Sequence, residues 1–466
     1  MNELTGLKPA ELWRYFEEIC QVPRPSKQEE KIIAYLLDFA SRNGLEARRD
    51  EAGNVLISKP AAKGREGAPA VVLQAHMDMV CESNGPHDFT REPIRPYIDG
   101  GWVKALGGTT LGADDGIGVA ACMAILTSTT IRHGPLECLF TVDEETGLTG
   151  ALALQPDFFR GRLLLNLDSE DEGELFIGCA GGIDTVIQMA CQRVPTRPGS
   201  YAARVEVKGL LGGHSGDDIN KGRGNAIKML NRFLWNLNDT YGIQVAHFEG
   251  GKLRNAIPRE AHAVIVFAGQ YKERVMADFN LYAAEMKRVW GITEPDFSLS
   301  LETAEMPATA CDEPSTARLL NSLYACPHGV VAMSYRMPGL VETSTNLAAV
   351  RFENERQVLI TTSQRSDLYS EKMYIANMVE SVFRLADAIV EHGDGYPGWT
   401  PNPASALLQV VAASYERLFG KPPVVRSIHA GLECGLFLEK YPDMDMVSFG
   451  PTLRDVHSPG ERVDVA

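Results

Sequence analysis

What this chain lacks narrows what it can be. No uninterrupted apolar run approaches the roughly 18 residues needed to span a bilayer, so no membrane partner is expected. The first 22 residues carry Glu3, Glu11, Glu17 and Glu18 among their apolar positions, which leaves no apolar stretch for a secretory signal. Basic residues are the minority. Lys and Arg number 45 against 61 Asp and Glu, a formal charge of −16. Such a surface repels phosphate backbones, so nucleic acid is not an expected partner either. The nine cysteines are scattered and never spaced C-x-x-C. That points to reduced thiols in a cytoplasmic protein and away from a cysteine-based zinc site. A metal, if there is one, must be held by His and carboxylates.

What is present is globular in character. Hydrophobic residues make up 44% and charged residues 23%, enough apolar content for a large core. At roughly 100–200 residues per domain, 466 residues suggest two or three domains. Ser26 and Glu29 have capping-box spacing before an apolar-periodic helix that ends at Gly44. Apolar strands are expected at 55–57, 70–75, 136–142 and 163–167, with a small-residue helix at 116–128. Oily strands between helices imply an α/β layer covered on both faces. The stretch 194–200 (VPTRPGS) reads as a linker, and 392–403, rich in Pro and Gly, as a second boundary. Between them, 203–207 alternates like a half-exposed strand and 225–237 reads as a helix; beyond them come a helix at 405–419 and a strand at 444–449. The expected architecture is one α/β domain interrupted by an insertion of roughly 200 residues.

The chemistry gathers at strand ends. The strand at 70–75 runs into His76 and Asp78, that at 136–142 into Glu144 and Glu145, and that at 163–167 into Asp168; His457 follows the strand at 444–449 after a short loop. Open α/β sheets build their sites outside the carboxyl ends of the strands. Each residue alone would pass for loop charge or a structural histidine. Together they crowd like charges that only a cation would neutralise. Imidazole and carboxylate without thiolate suit Zn²⁺, Mn²⁺ or Co²⁺. The loop TLGADDGIG at 110–118 adds Asp114 and Asp115, either of which could bridge two metals. Asp78 is spaced to orient the His76 imidazole from behind.

The motifs HMDMV at 76–80, GADDGIG at 112–118, DEETGLTGA at 143–151, NLDSE at 166–170, GGHSG at 212–216 and VHSPGE at 456–461 occur in that order. In this combination the chain resembles, over essentially its whole length, the bacterial aminoacyl-histidine dipeptidases. These are the peptidase D or carnosinase-like enzymes of the aminoacylase/carboxypeptidase G metallopeptidase superfamily. The resemblance implies a mixed-sheet α/β catalytic domain of zinc exopeptidase type at 1–185 and 396–466. An α+β lid and dimerisation domain at 186–395 would interrupt it. It implies two divalent metal ions, Zn²⁺ first, with Mn²⁺ or Co²⁺ as alternatives. His76 and Asp168 would hold one, Glu145 and His457 the other, and Asp114 would bridge them. Glu144 would be the general base and Asp78 the support behind His76. His214 would reach the active site of a neighbouring subunit in a homodimer formed through the lid. Asn255, Arg365, His429 and Gly431 would bind substrate.

The reaction so implied is hydrolysis of unblocked dipeptides, Xaa-His (carnosine-like) among a broader set, by a hydroxide bridging the metals. The alternatives within hydrolases are a broader di- or tripeptidase and an N-acyl amino acid deacylase. From another class, an inactive metal-binding regulatory protein would lack the base or a ligand, and here every such position is filled.

Overall fold

The computed structural model describes residues 4 and 6–466. It divides into two compact units: 1–179 with 399–427 and 432–466, and 180–398 with 428–431. Among the described residues no helix is long and apolar enough to cross a membrane.

The first unit is built on an eight-stranded mixed sheet. Its order is Glu46–Arg49, Val55–Lys59, Leu136–Thr141, Val71–His76, Leu163–Asn166, Asp445–Ser448, Glu174–Cys179 and Val424–Ile428. Four central strands, Leu136–Thr141, Val71–His76, Leu163–Asn166 and Asp445–Ser448, run parallel to their neighbours in this series. They therefore end at one edge. Val72, Ala75, Phe140 and Leu164 are buried to 0% exposure, as strands covered on both faces require. Helices Ala10–Cys20, Glu30–Arg42 and Ala113–Thr127 supply much of the core with Phe16, Leu36 and Val119. A small four-stranded sheet includes the antiparallel pair Leu453–Arg454 and Arg462–Asp464. His457 lies in the loop between that pair, so its position is fixed by a hairpin and not by a strand end.

The capping box at Ser26 and Glu29 does not form. The helix begins at Glu30 without a side-chain cap. The Ser26 hydroxyl donates instead to Asp78 Oδ2 at 2.8 Å, and Glu29 accepts from the amides of Lys27 and Asp143 at 2.7 and 3.1 Å. Stronger acceptors and donors around Asp78 and Asp143 outcompete the local turn.

The second unit holds a nine-stranded sheet whose strands pair antiparallel. Helices Ala226–Tyr241, Lys272–Trp290, Glu313–Ala325 and Tyr369–Arg384 share one core with it through Phe233, Phe279, Leu320 and Phe383. The expected linker at 194–200 instead carries strand Arg193–Pro195, paired with Thr309–Cys311, and the start of strand Ser200–Lys208. Beside that short pair Cys191 and Cys311 form a disulfide across 120 residues of sequence. This corrects the expectation that all nine cysteines are free thiols: strand pairing, invisible to spacing, brings the two together.

Candidate metal centre

Two triads of ligand atoms stand at the carboxyl edge of the parallel strands. His76 Nε2 lies 3.0 Å from Asp114 Oδ1 and 3.3 Å from Asp168 Oδ1. His457 Nε2 lies 3.0 Å from Asp114 Oδ2 and 2.9 Å from Glu145 Oε2. Asp114 thus gives one oxygen to each triad. Asp115, its rival by sequence, is turned away. Its oxygens accept from the backbone amides of His76 at 3.2 Å and Gly118 at 3.1 Å.

These spacings suit a hydrogen bond when the imidazole is protonated and a shared cation when it is not. A neutral imidazole nitrogen and a carboxylate oxygen at 3 Å attract only if a proton or a cation lies between them. His457 is pushed up to about 11 by its bonds to Asp114 and Glu145. Burial works against protonation of His76, but Asp168, Asp114 and Asp78 together hold it well above the usual range. Burial, opposed by His76, raises Asp168 to about 6. Glu145 Oε1 is buried with no hydrogen-bond partner, an unspent acceptor. The donor set fits two borderline divalent cations: one nitrogen and two oxygens in each triad, with one carboxylate shared.

Glu144 offers an oxygen within 4.8 Å of ligand atoms of His76 and Glu145. Burial, reinforced by the charges of Asp168, Glu433 and Glu145 against the pull of His76, holds its carboxyl well above the ordinary range. Asp78 accepts from the Glu144 and Glu145 amides at 3.1 and 3.3 Å and stands 3.3 Å from His76 Nδ1. It ties two of the strand ends together. Asp143 (φ 51) and His457 (φ 59) sit in the left-handed region, which costs a non-glycine residue roughly 1–3 kcal/mol and must be held by its surroundings.

Sequence reasoning gave no role to the groups that hold the Asp114 loop. Glu461 is buried, and its carboxylate accepts from four consecutive amides: Leu111 at 2.7, Gly112 at 2.9, Ala113 at 2.7 and Asp114 at 3.2 Å. Arg24 grips the same loop from its carbonyl side. It donates to Gly112 O, to Met77 O at 3.2 Å and to Asp78 O at 2.7 Å. A Cβ at Gly112 (φ +69) would stand 2.6 Å from the Arg24 guanidinium, so only glycine admits this grip. Glu461 lay within a recognised motif, VHSPGE; Arg24, in a proline-flanked stretch, gave no sequence signal. Beneath the strand ends, Glu433 accepts from Gln74 at 2.6 Å and Thr141 at 2.8 Å and is raised to about 8 by burial.

The other candidates gather within the second unit. Arg365 donates to Tyr396 Oη at 2.8 Å and Ser215 Oγ at 3.4 Å, while its Nε is buried with no hydrogen-bond partner. His429 Nε2 lies 2.7 Å from Ser344 Oγ, and burial, then Arg365 and His214, push it down to about 3. His214 lies beside Ser215, whose amide donates to the Asn255 carbonyl at 2.8 Å. The His214 Nδ1 accepts from the amides of Gly216 and Asp217 at 3.3 and 3.2 Å. That leaves Nε2 to carry the proton of a neutral ring. A Cβ on Gly431 would meet the Tyr396 ring at 2.8 Å, so the absence of a side chain permits their contact.

Parallel strands that deliver a shared-carboxylate ligand set to one sheet edge define a hydrolytic metalloenzyme scaffold. The model of peptidase family M20/M25/M40 matches residues 72–466, and the chain belongs to that family of metallopeptidases. Its mixed α/β fold is the family's, with catalytic and lid domains. The chain is similar to the cytosol non-specific dipeptidase of Escherichia coli (strain K12): 44% identical over 467 residues, 100% of this chain and 96% of that protein. It also matches the crystal structure of aminoacylhistidine dipeptidase from Vibrio alginolyticus with a TM-score of 0.92 and 44% identity, covering 99% of this chain and 94% of that one. The aminopeptidase PepT of Bacillus cereus ATCC 10987 shares the fold, with a TM-score of 0.57 at 18% identity, covering 98% of this chain and 94% of that one.

Proposed function

We propose that this chain is a cytosolic, metal-dependent dipeptidase acting on unblocked dipeptides, Xaa-His among them. One observation carries the reading: Asp114 presents one oxygen to each of two His–carboxylate triads. The named activities of the two full-length relatives support the dipeptide substrate. His76, Asp114 and Asp168 would hold one divalent cation, and Glu145, Asp114 and His457 the other. Zn²⁺ suits this nitrogen and oxygen set, as do Mn²⁺ and Co²⁺. Such ions, when bound, polarise a carbonyl and acidify water.

The protein's own groups do the rest. Glu144 takes the proton of the attacking water and delivers it to the leaving amine, which breaks the peptide bond with the charges balanced. Asp78 keeps the His76 ring oriented with Nε2 toward the first triad. Arg365 binds the C-terminal carboxylate of the dipeptide, for which its unpartnered Nε is the spare donor. His214, neutral and with Nε2 as donor, stabilises the oxyanion that develops on the scissile carbonyl. Asn255, His429 and Gly431 shape the substrate site. The chain works as a homodimer through the second unit, with His214 serving the neighbouring copy.

The test pairs metal analysis with Glu144→Gln. The variant is expected to keep its metal and lose at least about a hundredfold in turnover, the usual scale of a general base. Turnover within about tenfold of the parent would remove Glu144 from this role. A panel of Xaa-His, other dipeptides, tripeptides and N-acyl amino acids, with and without chelator, separates the dipeptidase from a tripeptidase or a deacylase.

A further inference from the structure

A second cluster of metal-binding chemistry lies wholly within the second unit and takes no part in the reading above. Strand Gln244–Gly250 carries His247 and Glu249 two positions apart, hence on one side of the sheet. Glu249 is the register partner of His262 on strand Ala261–Ala268, while His247 pairs with Val264. All three side chains therefore point the same way. Residues of the opposite side, Val245, Phe248, Ala261, Ala263 and Ile265, are in the core. The three are only half-buried, and nothing covers them completely.

Their ligand atoms converge. His247 Nε2 is 3.5 Å and His262 Nε2 3.9 Å from the same oxygen, Glu249 Oε2. The two imidazole centroids are 5.3 Å apart, and one ligand atom from each of the three residues fits within 4.8 Å of the others. A tetrahedral ion with bonds of about 2.0–2.1 Å spaces its ligand atoms roughly 3.3–3.4 Å apart. Small side-chain rotations close the difference, and the backbone beneath is two hydrogen-bonded strands.

At 3.5 and 3.9 Å both imidazoles stand beyond ordinary hydrogen-bond distance from the one oxygen they share. On the neighbouring strand Glu206, the register partner of His262, pairs with Arg204 and Lys208 at 3.3 and 3.4 Å.

We propose that His247, Glu249 and His262 form a third metal site for a borderline divalent transition-metal ion such as Zn²⁺ or Cu²⁺. The remaining coordination positions face water. The site needs neither the triads nor a second copy.

The experiment uses the untagged, full-length protein freed of metal by chelator and titrated with Zn²⁺ against a chromophoric chelator. Three equivalents per chain are expected, with the third lost or weakened at least about tenfold in His247→Ala and in His262→Ala. Cu²⁺ spectroscopy supplies a second readout: the third-site signal should reflect two nitrogens in the parent and one in either variant. An Asp114→Asn protein, impaired in both triads, should keep this third step, so failure at the triads and failure here are separable. Equal stoichiometry and affinity in the parent and both surface variants would overturn the assignment.

Discussion

A carboxylate that accepts four amides, as Glu461 does, has no good substitute. Glutamine offers one acceptor oxygen and sets two N–H donors against the backbone N–H groups. Glu461→Gln should therefore let the loop carrying Asp114 shift and weaken metal binding about tenfold or more, the usual cost of losing such a support. Competition with a chelator measures this directly, and an unchanged affinity would mean that Arg24 alone suffices to hold the loop. At this scale His76, Glu145 and Asp168 stood out in the sequence as polar groups just past oily strands, whereas His457, in a hairpin loop, and Asp114, at a helix start, owed their place to the motif order. The choice between Asp114 and Asp115 could not be read from the sequence, since adjacent acids differ only in where the backbone aims them. Here one faces two imidazoles and the other two amides. Arg24 and Glu461 escaped because they act on backbone groups, and backbone groups leave no signature in sequence.

Elements depend on their ends. Helix Ala226–Tyr241 starts at Asn225, whose Oδ1 accepts from the Lys228 amide at 3.2 Å and whose Nδ2 donates to Leu347 O at 2.9 Å. Asn225→Ala removes the cap and strands a carbonyl, so a loss of about 1–3 kcal/mol is expected in urea unfolding. Stability equal to the parent would show that the cap is redundant. Beside it, the Leu347 amide donates to His328 Nδ1 at 3.4 Å. Burial, then Lys228, push His328 down to about 4. The unfolded chain takes up this proton near pH 6.5, and the folded one only near 4. Stability from His328 is thus present above about 6.5 and falls as pH drops toward 4. His328→Gln should flatten that part of the pH profile; an identical slope would discount His328. The helices starting near residues 30, 113, 226 and 406 were legible through their apolar periodicity, whereas Lys272–Trp290, Glu313–Ala325 and Tyr369–Arg384 were given no range. The capping box expected at Ser26 does not form, because a distant carboxylate, Asp78, claims its hydroxyl.

At the scale of the whole molecule, the sequence offers two composition breaks, at 194–200 and 392–403, while the compact units change at 179/180 and 398/399. The placement of those breaks depends on pairings the sequence does not display. Strand Gly181–Ala190 joins the second sheet beside Gln357–Ser366, and residues 428–431 return to that unit after the chain has re-entered the first. The proposed dimer is tested at this scale as well. Glu144→Gln and His214→Ala proteins, each inactive alone, should regain up to about a quarter of parental activity when co-folded as mixed dimers, by the statistics of isologous pairing. No recovery, in a sample proven to contain mixed dimers, would place His214 outside the neighbour's site.

The shared carboxylate of Asp114 has a thermodynamic corollary. If its two oxygens serve two ions as proposed, occupancy of one position would alter affinity at the other, with the same coupling free energy in either order of filling. The centre would then behave as one linked pair. A substitution at Asp114 should move both loading constants together, whereas one at Asp168 or His457 should act first on its own triad and reach the other only through the bridge.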